Sequence, residues 1–512
     1  MSDPERPLRV LYYNWVDYLD PERRGGGVTV YQRNLMARMA ARTDIAPAFL
    51  SSGILYDLPR RGPRWERMRV GPAQDRDRRY AIVNSGTLAP GHHSFGHDAQ
   101  ITHPETEATF CDMVAATGPY DVVHFQNFEG IPVNVLAALK ARFPDMALVV
   151  SLHNYYPICP QVNLWQRERE HCDDFRDGRA CVGCLLHQPN ARLVVAAHGL
   201  SYRLQRMGMR PGSRAFNLSF GTAIRVGHRG SRLVGHLRRR RGGAALPAET
   251  ASPKTAQIVP DVTPRGAEGF AARRPAMIDT LNAHADRVLG VSDRVCEIAA
   301  RHGIAGAKLA TSYIGTAEAA RFAETAPRGP LPRADGTLHL AYLGYMRRDK
   351  GFFFLLDALE ALPETLSRRL RLRVAARRGE PQAMARLDAL GRRLAGVTHH
   401  DGYTHEGLDA LLADVDLGIV PPLWEDNLPQ VAIEMHARHV PLLTSDRGGA
   451  KELANCASMT FAAGDAESFR DRIEAILEGR IDMAAYWAGA RAPQGMDGHL
   501  EELVSIYRGA VG

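Results

Sequence analysis

The sequence predicts an α/β protein of two domains, each a parallel sheet covered by helices. Three observations predict it. The chain has 512 residues, too many for one hydrophobic core, and 45% hydrophobic with 24% charged residues is an ordinary globular composition. Short apolar runs of strand length alternate with longer helical patterns toward both ends of the chain. Residues 416–449 read as buried strand, polar loop, helix, second buried strand and Gly-Gly turn, the layout that binds nucleotides at strand ends.

Taken in order, Leu8–Asn14 is a first strand. Gly25, Gly26 and Gly27 follow, and Tyr31, Leu35 and Met39 recur at helical spacing, so a helix opens just after the glycines. A glycine-rich loop before a helix lets backbone approach a ligand closely and points amides at an anion. Tyr120–Gln126 and Ala147–His153 are two further buried strands joined by the helical pattern Val133–Arg142. Both end in polar residues at the carboxyl edge, where α/β ligands sit. His124 is read as a hydrogen-bonded structural residue, and His153 as a candidate site residue.

Four of the seven cysteines, Cys159, Cys172, Cys181 and Cys184, fall close together with Cys-x2-Cys closing the set. In a reducing compartment such a set suits a structural zinc, with free thiols or a redox role as the other readings. Cys111, Cys296 and Cys456 stand alone and read as small buried hydrophobes. Residues 185–268 break the α/β rhythm with Arg, Gly and Pro, including a loop-like tract from Gly242 to Gly266, and read as an insertion. The rhythm resumes with a strand from Ala285, a helix from Arg294 to His302 and the run Leu309–Gly315. Pro327–Gly336, with three prolines and two glycines, is the linker.

The second domain opens with the strand Leu338–Gly344, a basic loop containing Arg347, Arg348 and Lys350, and a helix from Phe352 to Leu362. Such a loop can neutralise a diphosphate through charge-assisted bonds. A strand from Leu370 to Ala376 and the unit Gly402–Leu412 lead to the segment at 416. There Pro429 suits the first helical position and Asn427 or Asp426 the N-cap. Glu434 falls about 1.5 turns into that helix. Carboxylates at Asp426 and Glu434 suit sugar and ribose hydroxyls rather than phosphate. Ala466–Leu477 and Leu500–Tyr507 are helical patterns.

Net charge is +7, with a pI near 9.1. Between Arg203 and Arg241 lie eleven arginines and no Asp or Glu. That strip suits a polyanion or an acidic membrane surface, or else a solvated insertion. No secretory signal or membrane span is visible at the N-terminus, so a cytoplasmic protein is expected.

The segment from Asp426 to Glu434 resembles the E-x7-E signature of retaining GT-B glycosyltransferases of family four, glycosyl transferases group 1, with Asp426 and Glu434 at its two acidic positions. Gly25–Gly27 after the first strand is similar to that family's Gly-Gly-Val loop, the phrase at His153 to its strand-end histidine, and Lys350-Gly351 to its Lys-Gly pair. The resemblance implies the GT-B fold, two Rossmann-like domains facing each other across a cleft. It implies a donor site made of Gly26, Gly27, Arg347, Arg348, Lys350, Glu425, Asp426, Asn427, Leu428, Pro429 and Glu434. Of these, Asp426 and Lys350 act in catalysis with His153. Glu425 stands one residue before the acidic position, and Tyr345 takes the place of the family's usual arginine, so Arg347 or Arg348 would supply the second cation. The first acid would meet the donor sugar, the second the ribose, and the lysine the diphosphate.

The expected domains are residues 1–326, holding the Cys cluster at 159–184 and the basic insertion at about 185–268; residues 337–480, binding the nucleotide sugar; and residues 481–512, a helical segment packing back on the first domain. The expected activity is metal-independent transfer of a sugar, with retention, from a nucleotide diphosphate sugar to a glycan or lipid-linked acceptor in cell-surface glycan or glycoconjugate synthesis. No cofactor is expected for catalysis, no nucleic acid as partner, and the strip Arg203–Arg241 would allow peripheral attachment to the inner face of a membrane. The alternatives are a nucleotide-sugar epimerase or phosphorylase on the same fold, or a non-catalytic membrane or polyanion binder.

Overall fold

The computed structural model describes residues 6–22, 24–223, 225 and 266–511. The second half of the arginine-rich strip and the tract from Gly242 lie outside the described residues, apart from Gly266 at its end.

The first sheet has eight strands: β1 (Leu8–Tyr13), β2 (Ile45–Ser51), β3 (Arg64–Arg67), β4 (Arg79–Val83), β5 (Val122–Phe125), β6 (Ala147–Leu152), and, beyond a two-strand ribbon of β7 (Trp165–Gln166) and β8 (Glu170–His171), β9 (Arg287–Gly290) and β10 (Leu309–Thr311). Their order is β10-β9-β6-β5-β1-β2-β4-β3, and only β3 runs antiparallel, at the edge. Every residue of β5 and β6 is buried, on both faces, because helices cover the sheet on each side. Those helices include α1 (Gly26–Met39), α2 (Pro104–Thr117), α3 (Val135–Arg142), α4 (Ala191–Arg206), α5 (Ala267–His284) and α6 (Asp293–Arg301).

The second sheet is β11 (Leu338–Gly344), β12 (Leu370–Ala376), β13 (Gly396–Asp401), β14 (Leu417–Val420), β15 (Leu442–Ser445) and β16 (Thr460–Phe461). It is parallel throughout, in the order β13-β12-β11-β14-β15-β16. This is the doubly wound order, and the strand sequence reverses between β11 and β14, as it does between β1 and β5 in the first sheet. Ligands bind where the order reverses, beyond the carboxyl ends of the strands. Its helices include α7 (Phe352–Ala361), α8 (Pro381–Leu390), α9 (Gln430–His436) and α10 (Ala466–Leu477). Phe352, Leu355, Leu356 and Leu359 of α7 pack with Leu387 of α8 and Ile473 and Ile476 of α10 in one core.

The last helix, α11 (Met496–Val511), leaves this domain and lies on α1 and β6 of the first. Leu500, Leu503, Val504 and Tyr507 share the core of the first sheet. Tyr507 Oη bonds His124 Nδ1 at 2.7 Å, while His124 Nε2 meets Ser151 Oγ at 2.8 Å. His124 is therefore a core histidine that ties the C-terminal helix to β5.

One sequence expectation needs correction. Residues 191–206, read as part of an irregular insertion, form a 16-residue helix capped by Asn190, which accepts from the Arg192 and Leu193 amides. The four cysteines of the candidate zinc set form no disulfide, and among the described residues no three His, Cys, Asp or Glu side chains already surround one ion position. Cys111 is buried, while Cys296 and Cys456 are half-buried. Among the described residues no helix is long and apolar enough to cross a membrane.

Candidate active site in the interdomain cleft

The C-terminal half of the site is the loop from Pro421 to Pro429, between β14 and α9. Two glycines place it. Gly351, at φ +74°, follows Lys350 and lies so close to the strand end that a Cβ there would meet the Pro421 carbonyl oxygen at 1.7 Å. Gly448, at φ +72°, faces the other side, where a Cβ would meet the Asp426 oxygen at 2.1 Å. Only glycine permits both the dihedral and the approach, so the basic loop and the Gly-Gly turn clamp the acidic loop between them.

Lys350 Nζ consequently sits 2.6 Å from Asp426 Oδ2 and 4.8 Å over the Trp424 ring. Arg347 and Arg348 are exposed at the rim. Arg347 pairs with Asp349 at 3.0 Å, and Arg348 lies over the Phe353 ring. Glu425 points the other way. Its oxygens take 3.0 and 2.6 Å bonds from Arg294 of the first domain, 3.1 Å from Arg447 and 2.8 Å from the Gly448 amide. Burial alone would raise this carboxyl, but those donors outweigh it and hold it at about 2.

The capping expectation also changes. α9 begins at Gln430 with Pro429 as its extended N-cap residue and no side-chain cap, so Pro429 stands one position earlier than expected. Asp426 is occupied by Lys350, and Asn427 turns to the first domain instead. Leu428 is buried beside Ile433 and Tyr313 in the wall between the domains. Glu434 is four residues into α9, about one turn. It is buried, receives the Tyr403 hydroxyl at 2.7 Å and has His405 Nδ1 at 3.6 Å. Burial pushes its carboxyl above the usual range, against the Tyr403 bond and the nearby His405, with Glu318 adding to the rise.

The N-terminal half lies at the ends of β1, β5 and β6. Gly26 takes φ +57° at the start of α1, and Gly27 faces Gln430 of α9, whose Cγ would be 3.4 Å from a Cβ on the glycine. His153 follows β6, with Nε2 2.6 Å from Gln126 Oε1 and its ring against Tyr31. Burial, with His499 nearby, pushes its pKa down to about 3, so the ring is neutral. Tyr31 Oη meets His499 Nε2 of α11 at 2.7 Å.

The domains touch at this point. Asn427 Nδ2 donates to the carbonyl of Leu152, the neighbour of His153, at 3.3 Å, and Ser292 Oγ donates to the Asn427 carbonyl at 2.8 Å. Glu452 reaches across to the start of α6 and accepts from the Asp293 and Arg294 amides at 2.9 and 2.7 Å. The structure thus brings Gly27, His153, Lys350, Asp426 and Asn427 to one cleft, with Glu434 one helical turn further along.

Residues that sequence reading missed complete it. Glu129, buried beyond β5, accepts from Asn154 Nδ2 at 2.9 Å and from the Gly91 amide. Burial raises its pKa. Its signal was the polar run after β5, Gln126-Asn127-Phe128-Glu129. Tyr403 follows the Gly402 turn, and nothing local to it points to Glu434. Among the described residues, Thr29 Oγ1, Gln32 Nε2, Gln126 Nε2, Asn127 Oδ1 and Tyr155 Oη on one side, and Trp424 Nε1 and Asn427 Oδ1 on the other, are buried without a hydrogen-bond partner. Buried polar atoms are rarely left so, and a polyhydroxylated ligand supplies such partners.

No curated protein sequence matches the chain. Solved structures do. Anabaena HepE in complex with UDP superposes with a TM-score of 0.50 at 12% identity over 98% of this chain and 100% of that one. Sucrose-phosphate synthase from Thermosynechococcus elongatus does so with 0.50 at 15% over 98% of each. The N-terminal domain of Candida albicans trehalose-6-phosphate phosphatase gives 0.53 at 10% over 100% and 98%. At such identities the likeness is one of fold. The chain has the two-domain GT-B fold, and its C-terminal domain, over residues 337–479, matches the family model of glycosyl transferases group 1.

Proposed function

We propose that the protein is a retaining glycosyltransferase that moves a sugar from a nucleotide diphosphate sugar to the hydroxyl of a glycan or lipid-linked acceptor in glycan synthesis. The observation that carries this reading is the pairing of Lys350 with Asp426 at the end of β14, across from Gly27 and His153 and one turn from the buried Glu434. The first acid, the cation and the second acid would then meet the sugar, the diphosphate and the ribose of a nucleotide sugar, in which the diphosphate joins the other two.

The hard step is departure of the diphosphate from the anomeric carbon as positive charge develops on the sugar. Fixed positive charge on the leaving group lowers that barrier most. Lys350 supplies it, and Arg347 or Arg348 at the rim supplies the second cation, which is why we expect no divalent metal in catalysis. Asp426 and the neutral His153 position the sugar, and Glu434 holds the ribose hydroxyls beside Tyr403. Double displacement in retaining glycosidases needs a carboxylate nucleophile about 5 to 5.5 Å from its partner acid. Glu129 is instead tied up by the Gly91 amide and Asn154. Transfer on the front face, with a donor phosphate oxygen taking the acceptor proton, fits this arrangement.

A lipid-linked acceptor also fits the outside of the N-terminal domain. Arg203, Arg206, Arg210 and Arg214 are exposed there beside exposed Leu193, Met207 and Leu218. Basic and apolar side chains together suit the surface of an anionic bilayer on the cytoplasmic side.

The test is a thermal-shift panel of UDP-, GDP-, ADP- and dTDP-sugars, followed by product analysis with the donor that stabilises. A donor at 100 times its Kd adds about 2.7 kcal/mol. Transfer with the anomeric configuration kept is the expected outcome. Inversion would remove the retaining assignment, and epimerised or phosphorolysed donor without transfer would remove the transferase itself.

A further inference from the structure

The four cysteines between Cys159 and Cys184 play no part in the cleft chemistry. In the folded chain each of the four lies within electrostatic reach of the other three. Cys181 and Cys184 are packed with Phe95 and Phe270, and Cys184 Sγ bonds Gln161 Oε1 at 2.9 Å, two residues from Cys159.

Two guanidinium groups stand beside this set. Arg273 is only 2% exposed and lies next to Cys159 and Cys181. It donates to Gln100 and, at 2.8 Å, to the Tyr156 carbonyl, while Nη1 is buried with no hydrogen-bond partner. Arg274 bonds the Ile158 carbonyl at 2.8 Å, covers the Phe175 ring and neighbours Cys159, Cys172 and Cys181. Among the described residues neither arginine has a carboxylate at ion-pair distance, Asp174 lying within electrostatic reach of Arg274 but not in contact with it. A guanidinium this deep needs an anion, because an uncompensated buried charge is strongly destabilising.

The backbone that carries the thiols is itself bent. Between Cys159 and Cys184, Val162, Leu164, Arg167, Glu168, Arg176 and Asp177 all have positive φ, and the only regular structure is the ribbon β7–β8. A β-branched residue such as Val162 rarely adopts that region. Such a segment persists only when something overdetermines it.

We infer that Cys159, Cys172, Cys181 and Cys184 hold a structural Zn²⁺ whose net charge is balanced by Arg273 and Arg274. Binding converts one Zn²⁺ and four thiols into a tetrathiolate centre of charge −2 with release of four protons, and no oxidant or reductant is needed. The two arginines contribute +2. The sulfurs are neighbours rather than a closed tetrahedron. They sit on loops rather than on helices, so drawing them in to Zn–S distances of about 2.3 Å asks for loop adjustment only. The ion supplies the staple that this bent segment lacks.

The test is elemental analysis of the full-length protein purified under reducing conditions, with cobalt substitution as the second measurement. About one zinc per chain is expected. It should be released together with the four thiols on mercurial titration, and the cobalt protein should show thiolate charge-transfer and tetrahedral d–d bands. Cys181→Ser should lose the metal. Arg273→Gln, which leaves all four ligands in place, should weaken zinc binding about 10–100-fold. Absence of zinc with all four thiols open to alkylation in the native protein would overturn the inference, as would two disulfides by mass or bound iron with broad visible absorption. Should the serine variant not fold, the cobalt spectrum of the wild-type chain decides.

Discussion

Arg294 of the first domain holds Glu425 of the second through two bonds of 3.0 and 2.6 Å, and both side chains lie largely out of solvent. The pair fixes which of the two adjacent acids faces the cleft. With Glu425 bound on its other side by Arg447 and Gly448, Asp426 is the one left beside Lys350.

Arg294→Ala should therefore loosen the domain interface. Arg447 and Gly448 keep part of the compensation, so a loss of about 2–3 kcal/mol is expected, below the full cost of stranding a buried acid. The pair also sets an acid limit. The Glu425 carboxyl sits at about 2 in the folded chain against an ordinary 4.5, because its donors outweigh burial. A depressed pKa gives stability that is present above 4.5 and lost as pH falls toward 2. Denaturant melts of the wild type and Arg294→Ala between those pH values should converge; parallel curves would remove the ion pair as the cause.

Glu434 has the opposite sign. Burial raises its carboxyl, so the folded chain prefers to keep the proton, and that contribution to stability is present at low pH and lost as pH rises through the raised value. Ribose hydroxyls donate to the ionised form, so nucleotide affinity should rise with pH over the same range. Glu434→Gln should flatten that dependence and weaken binding about 10–100-fold, the worth of hydrogen bonds to a charged group. Calorimetric titration with the preferred nucleotide at several pH values checks both. Unchanged affinity would take Glu434 out of the nucleotide site.

These two acids also mark how far the sequence could be read. The doubly wound C-terminal domain was legible because its strands are short apolar runs and its helices, such as Ala466–Leu477, carry clean periodicity. α4 was not, although its buried Val195, Gly199 and Tyr202 recur at helical spacing, because it runs straight into the Arg-, Gly- and Pro-rich tract and was read together with it. The positions of Lys350, Asp426 and Gly27 in one cleft follow from the strand ends that carry them. The bond from Arg294 to Glu425 and that from Tyr403 to Glu434 join residues 131 and 31 apart. No local pattern records such pairs, so Glu425 read as a second candidate sugar ligand. Glu129 escaped notice because its partners, Gly91 and Asn154, lie on other loops.

Lys350 touches Trp424 and pairs with Asp426, which is buried, so removing it costs the fold the compensation of that acid while Lys350 itself keeps some exposure. Its charge matters when the diphosphate leaves. Lys350→Met should lower kcat about 10²–10³-fold, comparable with the loss of one preorganised donor to a developing anion. The melting temperature should fall by only a few degrees, the part that follows from leaving Asp426 without its paired cation. A loss of activity matched by a loss of stability would make Lys350 a structural residue.

His153 is the residue whose chemistry is most easily misjudged from its type. A histidine with an ordinary pKa would change charge between pH 5 and 8 and leave its mark on the rate there. This one is pushed down to about 3 by burial, with Gln126 on one ring nitrogen and Tyr31 against the ring. It is neutral at every pH where the protein would work, and it can position a sugar hydroxyl but not carry a proton through turnover. The rate under saturating donor should then show no inflection that disappears in His153→Gln, although that variant should lose about 10–100-fold in kcat through lost orientation. An inflection near pH 6.5 in the wild type that is absent from the variant would assign His153 to proton transfer. It would also move the acceptor's proton away from the donor phosphate and onto the protein.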